Sequence, residues 1–135
     1  MRRVLAALVC LLTLSGCFGP DEVSVGYQAG TATVAEGEVL RVELGAYNTS
    51  IGDYWALLGA PDPAILTDLD SDYDDEGCPK NTAGCGGTLA WRFKAVGRGE
   101  TEITLRYCYR SRVSDCQPEP GRGPSEPVTL RVTVK

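Results

Sequence analysis

The 135-residue sequence contains no histidine. That absence removes any mechanism built on an imidazole base, a His-paired nucleophile or a His metal ligand, and with them most hydrolase chemistry. Basic residues are also scarce, 13 against 18 acidic ones. If residues 1–16 are removed, as their composition suggests, Arg2 and Arg3 leave with them and no acid does, so the net charge falls to about −7. A chain of that sign is repelled by nucleic-acid backbones and by anionic lipid surfaces, so no nucleic-acid partner is expected. Beyond the N-terminal segment no stretch sustains a helical period. The one long apolar run, 4–14, is too short to span a bilayer as a mature helix. The length allows one domain with a modest core and no second one.

What is present begins with that run. It follows Arg2 and Arg3 and ends in small residues before Cys17, the composition of a secretory signal. Leu14-Ser15-Gly16-Cys17 resembles the bacterial lipobox, in which cleavage precedes the cysteine and the cysteine is acylated. The bland alternative is an ordinary signal peptide with Cys17 as a spare thiol. The expected organisation is a signal peptide over 1–16, a lipidated Cys17 with a tether over 17–30, and a folded domain over 31–135. The protein would then be exported and lipid-anchored to a bacterial cell membrane or outer membrane, each buried methylene contributing about 0.8 kcal/mol.

Four cysteines remain after the signal: Cys78, Cys85, Cys108 and Cys116. In an oxidising compartment an even count argues for disulfides, and four cysteines allow three pairings. The local pairs Cys78–Cys85 and Cys108–Cys116 are favoured over cross-loop ones. A four-cysteine zinc site is the rival, but the spacing lacks the close Cys-x2-Cys pairs that such sites use.

The rest of the chain alternates in the period of half-buried strands. Leu40, Val42 and Leu44 alternate with Arg41 and Glu43; Leu89, Trp91, Phe93 and Ala95 with Ala90, Arg92 and Lys94; Val128, Leu130, Val132 and Val134 with Thr129, Arg131 and Thr133. Ile103, Leu105, Tyr107 and Tyr109 alternate with Thr104, Arg106 and Cys108, which predicts Cys108 on the face away from the core. Strands are expected over 32–35, 39–46, 54–58, 64–69, 88–96, 101–110 and 127–134, an antiparallel β-sandwich of seven to eight strands. Short turns alternate with three long loops, 47–53, 74–87 and 111–126. Alternate connections of a sandwich lie at one end, so the three long loops should cluster at one pole, where binding residues usually sit.

Through Asn48 to Gly52, Gly84 to Gly87 and Tyr109 to Arg112 on those loops, the sequence resembles the chagasin family of cysteine-protease inhibitors. Asn48-Thr49-Ser50-Ile51-Gly52, with Tyr54 and Trp55 close behind, stands where the family reads Asn-Pro-Thr-Thr-Gly before an aromatic and a Trp. Gly84-Cys85-Gly86-Gly87, with Phe93 further on, matches the family's Gly-x-Gly-Gly. Tyr109-Arg110-Ser111-Arg112 keeps the tyrosine and arginine of the third motif, Arg-Pro-Trp, and departs from it at Ser111 and Arg112. The resemblance covers roughly 34–134. It implies an immunoglobulin-like fold, no enzymatic activity, no cofactor, and reversible inhibition of a papain-like cysteine protease. The first loop would enter the active-site cleft and the loops at 84–87 and 110–112 would grip its walls. A monomer is expected, with the membrane reached through the lipid on Cys17. The alternative is a non-inhibitory binding or structural module on the same fold.

The acidic run 68–76 invites a calcium reading, but Tyr73 stands where an EF-hand loop needs glycine and Pro79 where it needs glutamate. It reads instead as a solvated strand edge whose charge discourages pairing between sheets.

Overall fold

The computed structural model describes residues 21–135 apart from 76, 80 and 81, so the expected signal over 1–16 and the acylated Cys17 lie outside the described residues. The described residues form eight strands, most of them where the period-two alternation marks the sequence: β1 (Glu22–Gly26), β2 (Thr31–Val34), β3 (Val39–Tyr47), β4 (Asp53–Gly59), β5 (Leu66–Asp74), β6 (Gly87–Ala95), β7 (Gly99–Tyr109) and β8 (Val128–Val134). They make two four-stranded sheets, in the orders β1-β3-β6-β5 and β2-β8-β7-β4. Four pairings are antiparallel, as the sandwich reading requires. The pairings β1 with β3 and β2 with β8 are parallel.

The inner faces close on the core that the alternation pointed to. Leu40, Val42, Phe93, Ile103, Leu105, Leu130 and Val132 are almost wholly buried, each such side chain contributing about 1.5–3 kcal/mol of transfer free energy. Trp55 and Tyr107 meet edge-on at 5.5 Å and Tyr27 leans on Trp55 at 5.1 Å. This aromatic group fixes β4, β7 and the N-terminal crossover relative to one another.

Two expectations need correction. The stretch 17–30 is not all tether: from Glu22 it is β1, in register with β3 from Glu22 against Val39 to Gly26 against Glu43. A short 3-10 turn, Tyr27–Ala29, then carries the chain to the other sheet. The alternation Val23, Val25 is too brief to announce a strand, and the long-range partner β3 supplies what local pattern lacks. The strand expected over 64–69 begins at Leu66 and runs to Asp74. Asp62 accepts hydrogen bonds at its backbone and side chain from residues 64–66, holding Ala64 and Ile65 in a turn, while two of the aspartates that discourage a strand in isolation find cations on other strands of the same sheet. Asp70 pairs with Arg92, and Asp72 with Arg41. Cys108 points away from the main core, as the alternation predicts, and is nonetheless fully buried, because the third long loop folds back over it and bonds to it through Cys116.

The edge position of β5 agrees with the solvated-edge reading, and Leu69 and Tyr73 remain about half exposed there. Among the described residues no group of three acidic or cysteine side chains is placed to hold a metal. Both local disulfides are present, Cys78–Cys85 and Cys108–Cys116, with Cα separations of 5.8 and 5.1 Å.

Candidate functional site

The connections β3–β4, β5–β6 and β7–β8 emerge at one pole, and the sequence folds each into a defined shape. In the first, Asn48 organises the turn. Its side-chain oxygen accepts from Ser50 N–H at 3.0 Å, and its carbonyl accepts from Ile51 and Asp53 at 3.3 and 3.1 Å. Gly52 N–H donates to Thr49 O at 3.1 Å. The apex is therefore a closed turn, with Thr49 and Ser50 exposed at its tip. Gly52 has φ +104°, and a Cβ there would lie 2.5 Å from Arg110 Cγ, so glycine is required both by the backbone and by the approach of the third loop.

The loops are tied to each other rather than merely neighbouring. Asn48 Nδ2 donates to Gly84 O at 2.8 Å, joining the first loop to the second. Arg110 N–H donates to Gly52 O at 2.9 Å and Arg110 Nε to Ile51 O at 3.0 Å, joining the third to the first. The candidate residues of the three motifs thus come together. Gly86 backs onto the Asn48 side chain, and Cys85 between Gly84 and Gly86 is held to Cys78. Gly87 differs from the others. It already belongs to β6, where a Cβ would fall 2.1 Å from Asp74 O, so its place is in sheet packing. Ser111 Oγ accepts from Gln117 N–H at 2.9 Å and shapes the third loop from within. Arg112 is exposed.

Beneath this surface lies a group that the sequence did not announce. Asp53 is buried, with 4% of its surface exposed, and its carboxylate accepts four hydrogen bonds. They come from Asn48 N–H at 2.8 Å, Tyr107 Oη at 2.7 Å, Arg122 Nε at 3.0 Å and Arg122 Nη2 at 2.7 Å. Burial by itself would raise the Asp53 pKa. The bonds from Arg122, Tyr107 and Asn48 outweigh it and hold the carboxyl below its ordinary value. Burial and the bond to Asp53 push the Tyr107 phenol up to about 12. Tyr47 is also raised, by burial first and the Asp53 charge second. Arg122 lies over the Tyr109 ring at 5.3 Å, and Gly123 next to it lies flat against Tyr107, where a Cβ would come within 2.3 Å of the ring. One carboxylate therefore binds the start of the first loop, the end of β7 and the far part of the third loop. The only local hint was an acid directly after Gly52; its partner Arg122 is 69 residues away, beyond the reach of any spacing rule.

No catalytic arrangement accompanies this geometry among the described residues: the Asp53 carboxylate is engaged by four donors and almost wholly buried. The profile of the family described as Chagasin family peptidase inhibitor I42 matches residues 33–119, more than half of the chain and all of the first two loops.

The chain belongs to the chagasin family of peptidase inhibitors.

As a chagasin-family protein it is an inhibitor and not an enzyme. Its fold resembles that of the cysteine protease inhibitor EhICP2 from Entamoeba histolytica, with a TM-score of 0.59 and 19% identity over 85% of this chain and 96% of the other. It also resembles amebosin, with a TM-score of 0.58 and 24% identity over 87% and 100%. No curated protein matches the sequence. The chagasin-family match stops at residue 119, three positions short of Arg122, so the cation of the buried network lies outside the matched region.

Proposed function

We propose that this protein is a reversible inhibitor of papain-like cysteine proteases, which presents the turn 48–52 to the active-site cleft while the segments 84–87 and 110–112 rest on its walls. The observation that carries this reading is the mutual bracing of the three loops. Ordering a mobile loop on binding costs about 0.5–1.5 kcal/mol per immobilised side chain. Here Asn48, Arg110 and Asp53 order the loops in advance, and the two disulfides hold the second and third. The turn bonds within 48–53 also keep the apex from the extended form in which a protease cuts a peptide, which suits an inhibitor that survives the encounter.

The topology suits a membrane-anchored form as well. Glu22 pairs with Val39 at the start of β3, so β1 begins at the pole opposite the three loops. β3 has nine residues, about 30 Å of strand. Acylation at Cys17 would leave the loops facing away from the bilayer, open to a protease.

The test is titration of a papain-like enzyme with the full chain in detergent. Tight, reversible, competitive inhibition with the inhibitor recovered intact is expected. Absence of inhibition, or cleavage within 48–52, would refute the reading and leave a non-inhibitory surface module.

A further inference from the structure

Between the first and third loops the pole is hollow. A cavity of about 570 Å³ opens there, its walls including Tyr47, Tyr54, Arg110, Arg112 and Val113, together with Asp53, whose carboxylate is already paired with Arg122. Tyr54 and Val113 are 44% and 40% exposed, so apolar surface faces the opening. On the rim two guanidinium groups stand without a carboxylate. Arg110 donates to the Ile51 carbonyl and lies over the Tyr109 ring at 5.1 Å, and among the described residues neither it nor Arg112 forms an ion pair. This contrasts with Arg41, Arg92, Arg98, Arg106, Arg122 and Arg131, each of which has an acidic partner. A protein that is acidic overall thus keeps the unpaired arginines among its described residues beside the apex of this pole.

The geometry points to a socket: we infer that this hollow receives a projecting apolar side chain from the cleft wall of the protease, flanked by a carboxylate that pairs with Arg112. The inference rests on the inhibitory reading above and adds the kind of enzyme it favours. The hollow is continuous with the surface formed by Thr49 and Gly52, so whatever holds the first loop also covers the hollow. Its aromatic and aliphatic lining calls for an apolar occupant, and leaving it open in the complex would forfeit those contacts. Its rim calls for negative charge, and an acidic wall would speed encounter as well as fix orientation. Proteases whose corresponding wall is flat or basic should be poorer partners.

The experiment compares the full chain in detergent with Val113→Trp, which fills the hollow from an exposed position, and Arg112→Glu, which reverses the rim charge. Inhibition constants and association rates are measured against a papain-like enzyme inhibited by the wild type, at low and high salt, and near-ultraviolet circular dichroism checks that each variant is folded. Val113→Trp should raise the inhibition constant about tenfold or more, as loss of a filled interface pocket does. Arg112→Glu should slow association at low salt and reverse the salt dependence, so that added salt slows the wild type and speeds the variant. A wild type that inhibits while both folded variants stay within about twofold of it would overturn the socket and leave the inhibitory reading standing. A wild type that inhibits no papain-like enzyme overturns both.

Discussion

Replacing Asp53 by Asn keeps the shape of the side chain and removes its charge, and the hydrogen-bond geometry sets the cost. Four donors converge on the carboxylate: Asn48 N–H and Arg122 Nη2 on Oδ2, Tyr107 Oη and Arg122 Nε on Oδ1. An amide nitrogen in the Oδ2 position would face two obligate donors. In the Oδ1 position it faces Arg122 Nε and a phenol that can turn to accept, so the amide settles there. One charge-assisted bond is then lost and the others weaken. A bond to a charged group contributes about 1.5–3 kcal/mol, and because about a third of the Arg122 side chain is exposed, water recovers part of the loss. The expected destabilisation is about 2–3 kcal/mol, read from urea unfolding of the oxidised chain at pH 7 with an unchanged m-value. The pH dependence has a definite sign. The folded carboxyl titrates below its unfolded value of about 3.9, so its contribution is fully present above that pH and is lost as pH falls through the folded pKa. The gap between wild type and variant should persist at pH 5 and narrow below about pH 3.9. A loss under about 0.5 kcal/mol at pH 7, or a gap unchanged down to about pH 2, would show that the network does not hold the pole together.

Three further outcomes follow, two from particular contacts and one from the lipobox-like Cys17. Gly52→Ala should cost about 1–3 kcal/mol, since it strains a positive φ and drives a Cβ into Arg110; unfolding and inhibition measured side by side should show the larger loss in inhibition, and an unaffected inhibition constant would place the binding site elsewhere. Cys78→Ser with Cys85→Ser should destabilise the chain by about 2.5 kcal/mol on the chain-entropy account and expose the second loop to limited proteolysis; an unchanged digestion pattern would mean that Asn48 and the glycines suffice. Cys17→Ser should move the protein from the membrane to the soluble fraction of a bacterial host, and a wild type already soluble with an unmodified N-terminus would disprove the anchor.

The sequence by itself determined every strand but β1 and the second half of β5, placed the three long loops at one pole and favoured the local disulfide pairing, because these rest on period-two alternation, on the parity of sandwich connections and on cysteines seven or eight residues apart. It also marked Asn48 and Gly52, whose residue types carry their turn chemistry within a few positions. Only the tertiary structure decided the rest. β1 is a strand because β3 lies beside it, and β5 continues through four aspartates because arginines on β6 and β3 pair with two of them. Cys108 is buried because a loop returns over the outer face of its sheet. Asp53 became the hub of the pole only when Arg122, carried back by the third loop, reached it across 69 residues. A buried carboxylate requires partners, and the sequence shows the acid without showing which distant donors the fold will bring to it.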